Sequence, residues 1–277
     1  MKFTIGVLTL ICASLIFAVF ATHREASPSN AAMSTEPGGS GRSPVIVELF
    51  TSEGCSSCPP ADAVLRQLQQ DQPVAGAEII ALSEHVDYWN YIGWADPFSS
   101  AAFSARQESY AGAFGSERIY TPQMVVDGQA EFVGSSLSKA REAIAKAARA
   151  VKADVRLAIP PTAESNVQTV RVRVSVKNVP PISQRDVAEI IFAIAEDDLS
   201  SDVNRGENSG RRLAHTAVVR EMRALGSVDQ ATNTFDSETT AMIAGGWKRD
   251  NLRLVVFVQE RAHRRVLGAA ALSLPAK

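Results

Sequence analysis

The sequence predicts an α/β domain followed by an antiparallel β-sandwich. Three observations lead there. The β-branched run Val45-Ile46-Val47-Glu48-Leu49-Phe50 enters Cys55-Ser56-Ser57-Cys58 and then Ala61–Gln70, whose Val64, Leu65 and Leu68 share one helical face. Tyr120-Thr121-Pro122 precedes the strand-like Gln123-Met124-Val125-Val126 and the turn pair Asp127-Gly128. Much later, Val170-Arg171-Val172-Arg173-Val174-Ser175-Val176 alternates without a break, which is the mark of a strand with one buried and one wet face.

The elements follow in order. Lys2 and the apolar stretch from Phe3 to Ala21 form a basic n-region and an h-region, with Val19-Phe20-Ala21 as a small-residue cleavage site. The stretch also falls at the lower limit for spanning a bilayer, about 17–25 residues. The expectation is therefore a signal peptide over residues 1–21, export to the periplasm, and membrane attachment only if the segment stays uncleaved. Residues 22–43, rich in Ser, Pro, Gly, Ala and Thr, read as a flexible tether. The first domain then covers residues 44–152. Glu78–Ser83 is a second buried strand, Ser99–Gly115 a helix, and Glu131–Gly134 closes a hairpin with Val125-Val126. Leu137–Val151 is an amphipathic helix with Leu137, Ala140, Ile144, Ala147 and Val151 on one stripe. The interval 84–118 reads as an insertion near the cysteines. The second domain covers residues 153–277. Asp154–Ile159, Val170–Val176, Glu189–Ala195, Leu252–Val258 and Val266–Leu272 are its strands, and Pro160-Pro161 and Pro180-Pro181 mark boundaries.

Lys and Arg number 28 against 30 Asp and Glu, a net charge of −2. Such balance gives no support for a nucleic-acid partner. Once the signal segment is removed, Cys55 and Cys58 are the cysteines left, because Cys12 lies inside it. A CxxC pair between a strand and a helix is the usual place of a redox dithiol. The positive end of the helix stabilises a thiolate there, and the second thiol resolves a mixed disulfide. Cys55 is the preferred nucleophile and Cys58 the resolving thiol. The competing interpretation is a fixed disulfide, although a bridge across so short a loop removes little chain entropy. His85, in His85-Val86-Asp87-Tyr88-Trp89, lies at the C-terminal end of the second strand, where α/β sheets place ligands. It is a proton shuttle, a metal ligand or a packed core histidine. Trp89, Tyr91 and Trp94 form either an apolar rim for a partner or the core of the insertion, and Arg106-Gln107 is a weaker candidate. Asn204–Arg211 reads as a solvated loop leading into a strand; Arg205, Glu207, Asn208 and His215 belong to a site only if they reach the dithiol.

The strand–CxxC–helix context with Thr121-Pro122 before a strand resembles the thioredoxin fold. That resemblance implies a cis Pro122 beside the CxxC, a Thr121 backbone presented to an incoming partner, and a buried acid near the dithiol, for which Glu48 is the nearest candidate. The chain departs from the pattern at two places. Pro59-Pro60 follow Cys58 at once, which moves the helix start towards Cys58. Glu53-Gly54 stands where a Trp is expected, and a carboxylate there opposes thiolate formation. More specifically, Leu49–Asp62, His85–Trp89, Gly93-Trp94, Arg106-Gln107, Tyr120–Gln123, Arg205–Asn208 and His215 together resemble an uncharacterised family of secreted bacterial thioredoxin-like proteins, a domain-of-unknown-function family. The expected architecture is thus an α/β thioredoxin-like domain followed by an antiparallel β-sandwich domain.

The leading functional expectation is an exported thiol–disulfide oxidoreductase without a cofactor, with Cys55, Cys58, Thr121, Pro122 and His85 at its site and a protein or small-molecule thiol/disulfide partner in the envelope. One alternative is a copper-binding or metallochaperone protein, since two thiolates and His85 make a soft site. The other is an envelope binding module with a structural disulfide.

Overall fold

The computed structural model describes residues 33–34, 41–160 and 168–274. The signal segment, Cys12 and most of the tether lie outside the described residues. Within the tether, Met33–Ser34 forms a short strand, β1, and Ser43 already begins the next. The first half continues with β2 (Ser43–Thr51), α1 (Pro59–Asp71), β3 (Ala77–His85), α2 (Ala101–Phe114), β4 (Gln123–Val126), β5 (Ala130–Val133) and α3 (Leu137–Ala147). The second half is all strand apart from a one-turn 3-10 helix at Arg249–Asn251: β6 (Asp154–Ile159), β7 (Thr169–Lys177), β8 (Ala188–Glu196), β9 (Leu199–Val203), β10 (Arg211–His215), β11 (Val218–Val228), β12 (Phe235–Met242), β13 (Leu252–Glu260) and β14 (Val266–Ser273).

Eight strands form one mixed sheet in the order β14-β13-β8-β11-β3-β2-β4-β5. β2 and β3 are parallel, with Thr51 opposite His85, and β4 and β5 add antiparallel strands beyond β2. On the other side β3 meets β11, parallel at Val218 and Ser83, and Ser83 N–H donates to Ala217 O at 2.8 Å. β8, β13 and β14 follow β11 in antiparallel sequence. A second sheet, β1-β6-β7-β12, and the hairpin β9–β10 complete the strands.

Alternation along the strands divides the core into layers. On one face of the large sheet Val45, Val47, Leu49, Ile79 and Ala81 pack under α1 and α3. Farther along, Ile190, Phe192, Ile194, Leu254 and Val256 pack under the four-stranded sheet, whose Val170, Val172, Val174 and Val176 point inward. The opposite face carries Ile46, Ile80, Leu82, Ile191, Ala193, Val255 and Phe257, with Phe103 of α2 against them.

This architecture corrects the expected fold class. The molecule is a mostly-β fold, a mixed eight-stranded sheet with smaller sheets and three α-helices, and not an α/β thioredoxin-like domain followed by a separate sandwich. The physical reason is edge pairing. The outer edge of β3 would expose unpaired N–H and C=O groups, and β11 pairs with it at Ser83, so strands of the second half extend the first-half sheet. The described residues fall in one compact unit. The strands β9, β10, β12 and most of β11 escape the sequence pattern because they are polar. Phe235–Met242 alternates only between half-buried and exposed positions over most of its length. No helix of the described residues is long and apolar enough to cross a membrane.

Candidate functional site

Cys55 and Cys58 are joined in a disulfide at the mouth of α1. Cys58 is the N-cap residue, with Pro59 and Pro60 in the first turn. Proline is favoured there because it needs no N–H partner. The remaining first-turn donors, Ala61 N–H and Asp62 N–H, both go to Cys58 O, at 2.8 and 3.1 Å. The helix therefore offers the sulfurs its dipole but no free donor from these residues. Cys55 and Cys58 are 1% and 0% exposed, while Ser56 and Ser57 between them face solvent.

The loop that holds the disulfide is clamped from the far end of the chain. Asn208, fully buried, donates through Nδ2 to Glu53 O at 2.8 Å and to Cys55 O at 3.0 Å. Ser56 N–H donates to Glu207 Oε2 at 3.0 Å, which holds the Glu207 carboxyl below the ordinary range. His215 Nε2 meets Glu53 Oε1 at 2.9 Å, and Trp94 Nε1–H donates to Glu53 Oε2 at 2.8 Å. The β9–β10 turn fits against this loop because Gly206, at φ +74°, leaves no room for a side chain: a Cβ would lie 3.2 Å from that of Trp94. The 204–211 segment is a largely exposed loop leading into β10, as expected, yet Glu207, Asn208 and His215 reach the dithiol loop. Arg205 alone of the four residues stays exposed without joining them.

Close to this loop lies a buried cluster of titratable side chains. His85, the last residue of β3, is fully buried, and its Nδ1 is 2.7 Å from Asp96 Oδ2. Burial opposes its imidazolium, yet Asp96 outweighs burial and carries the His85 pKa above its ordinary value. Burial also acts to raise Asp96, but His85 and the N–H groups of Glu53 and Phe98 hold it below the usual carboxylate range. The His85 and His215 rings are 4.8 Å apart, and Phe98 stands edge-on to both at 5.5 and 5.6 Å. His85 Nε2 and His215 Nδ1 have no hydrogen-bond partner among the described residues. Asp62, in the first turn of α1, accepts from Thr51 Oγ1 at 2.8 Å; burial pushes its carboxyl up, against the pull of His215 and His85. The unpartnered Nε2 of His85 can accept and return a proton.

The Thr121–Pro122 peptide is cis. Trp89 Nε1–H donates to Thr121 Oγ1 at 2.8 Å, and Gly134 N–H to Pro122 O at 2.9 Å. Gly134 is also where this loop approaches α1: a Cβ there would lie 2.6 Å from Leu49 Cδ1 and 3.1 Å from Ala61 Cβ. Gln107 supports the same segment through Tyr120 O and Gln123 Oε1, at 2.7 and 2.8 Å. Tyr91 is the exposed member of the aromatic group, while Trp89 and Trp94 are half-buried and hydrogen-bonded.

Glu48 does not face the dithiol. It lies on the opposite side of β2 in an ion pair with Arg106 Nη2 at 2.5 Å and accepts from Tyr110 OH. The buried acids around the dithiol loop are Glu53, Asp96 and Asp62 instead. Among the described residues, Asp186, Glu260 and His263 form a group of three donors within 4.8 Å. Sequence reasoning did not single out Asp62, Asp96 or Phe98. Asp62 carries a local signal, an acid in the first turn of the helix that follows the CxxC; Asp96 and Phe98 carry none.

The model of the family described as "Protein of unknown function (DUF1223)" matches residues 46–259. No curated protein matches the chain. Among solved structures the chain is similar to a protein from Agrobacterium tumefaciens, at 23% identity and a TM-score of 0.62, over 84% of this chain and 95% of that one. It is also similar to HBP35 of Porphyromonas gingivalis, at 13% identity and a TM-score of 0.56, over 84% of this chain and 76% of that one. Both likenesses extend over both halves of the chain, in keeping with one continuous fold.

Proposed function

We propose, from the premise that this chain belongs to the DUF1223 family, that it is an exported thiol–disulfide oxidoreductase acting through Cys55 and Cys58. The observation that carries the proposal is a disulfide at the entry of α1 whose loop is bonded, through Glu53, to buried His215 and to Asp96, the partner of His85. Export is supported by the N-terminal apolar segment and by the bridge itself, since disulfides persist in oxidising compartments.

In the reducing direction the Cys55 thiolate attacks one sulfur of the partner disulfide. That S–S bond breaks, and one partner sulfur leaves as a thiolate that takes a proton. Cys58 then attacks Cys55 in the mixed disulfide, forms the Cys55–Cys58 bond and releases the second partner thiol. Two electrons pass to the partner, and the reverse sequence oxidises it. The buried cluster receives the protons that leave the dithiol, and the Thr121-Pro122 segment holds the partner backbone.

A second reading, a binding module with a structural bridge, is favoured by the burial of both cysteines. The reduction potential separates the two. After equilibration with glutathione and alkylation of free thiols, a potential of roughly −120 to −270 mV is expected for a working dithiol, and a value below about −300 mV marks a structural one. Cys55→Ser should abolish exchange with a disulfide peptide; retained exchange overturns the assignment.

A further inference from the structure

The α2 face of the large sheet holds a cavity of about 660 Å³ that neither cysteine lines. This is within the range of small-molecule sites, about 300–1,000 Å³. Four arginines line it, Arg106, Arg220, Arg223 and Arg264, with Phe98 and Trp247 as aromatic walls. Two of the cations are committed elsewhere. Arg106 pairs with Glu48, and Arg223 is held by Glu221 at 2.7 Å and by Thr239 and Thr240. The other two are held less completely. Arg264 is nine-tenths buried over the Tyr110 ring at 5.2 Å, and its Nε has no partner among the described residues. Arg220 is 3.4 Å from Glu196, and its guanidinium lies over the rings of Phe98 and Trp247, at 5.4 and 5.1 Å. The acids of the lining, Glu189 and Glu221, are paired with Arg261 and Arg223. The N-terminal turn of the 14-residue α2, through Ser100, Ala102 and Phe103, adds its positive dipole end to the wall.

A buried cation with an unmet donor is costly unless something pairs with it. Arg264 is such a group, and with the partly exposed Arg220, seated on an indole and a phenyl ring, it makes a receptor for a negative charge on a flat apolar body. We propose that this cavity is a ligand site for a small aromatic anion, a carboxylate or sulfonate, whose charge is met by Arg220 and Arg264 and whose ring lies against Trp247. The site stands apart from the redox proposal and holds whether or not the disulfide exchanges. Phe98 is shared between them, with one neighbourhood in the cavity wall and the other at His85 and His215.

The test uses two probes of one shape, 8-anilinonaphthalene-1-sulfonate and the uncharged N-phenyl-1-naphthylamine, titrated into the oxidised protein by fluorescence. Saturable binding of the sulfonate at one site is expected, at least about tenfold tighter than the amine. Arg264→Met and Arg220→Met should each weaken the sulfonate by about tenfold and leave the amine nearly unchanged. Arg220 is partly exposed, so its variant decides the matter even if Arg264→Met unfolds. Equal binding of the two probes, no saturable binding of the sulfonate, or unaltered sulfonate binding by Arg220→Met overturns the proposal.

Discussion

Two buried polar clusters lie in this molecule, and they are built differently. Around Arg106, the partners Glu48, Tyr110 and Gln259 stand on β2, α2 and β13, all within regular elements. Around His85, the partners Asp96, Glu53 and His215 come from loops and the end of a hairpin. The first cluster has a cation that stays charged at any ordinary pH, and its Glu48 carboxylate is ringed by donors. The second has imidazoles with open nitrogens. Burial of charge by itself therefore does not mark a working site. The Arg106 cluster pins three elements together, whereas the His85 cluster leaves two ring nitrogens without partners among the described residues near the disulfide loop.

The comparison breaks most decisively at Arg106. Arg106→Met leaves Glu48 buried without its cation, and about 3–5 kcal/mol of stability should be lost. The Cys55–Cys58 reduction potential should stay near its starting value. Thermal unfolding and glutathione equilibration measure both; a large change in potential with little loss of stability would reverse the roles given to the clusters. A smaller effect is expected at the clamp. Asn208→Ala removes the bonds to Glu53 O and Cys55 O, costing about 1–3 kcal/mol. Reduction of the bridge by dithiothreitol should become several-fold faster as the loop loosens. An unchanged rate would mean that the hairpin does not guard the bond.

The finest distinction is in pH. Burial, with Glu48 nearby, pushes the Glu84 carboxyl well above 4.5, so the folded state binds its proton more tightly than the unfolded chain. Its contribution therefore falls as pH rises from about 4.5 through the folded value. Glu84→Gln should flatten that decline in chemical-denaturation curves. His85 also has a raised pKa, so its contribution is complete below 6.5 and is lost as pH rises through the folded value. Asp96→Asn should remove the His85 step and spare the Glu84 step. If one variant removed both steps, the clusters would be a single titrating unit.

Much of the secondary structure was legible because it is local. The alternation of Val170–Val176 appears as alternating burial along β7, and the predicted Asp154–Ile159 strand matches β6 end to end. The cysteine pair before a helix was equally plain. The clamp was less so: Asn208 lies 153 positions from Cys55, and His215 lies 162 from Glu53, in a segment whose polar composition suggests a solvated loop. Glu48 shows a different difficulty. Its neighbours in sequence do not say which face of β2 it occupies, and a shift of one residue exchanges the two faces.

By itself the sequence determined where most strands and the three helices lie, that Cys55 and Cys58 close a short loop, and which residue types surround that loop. Periodicity and turn chemistry act over a few residues, and those signals survive without a fold. The tertiary structure alone decided that β11 would pair with the edge of β3 and so join both halves in one sheet. It also decided that Glu53, Asp62 and Asp96 rather than Glu48 would be the buried acids around the dithiol loop, and that four arginines from α2, β11 and the β13–β14 turn would share one cavity. Those outcomes depend on which sheet edge finds which partner, and strand alternation says which face is buried but not what lies beside it.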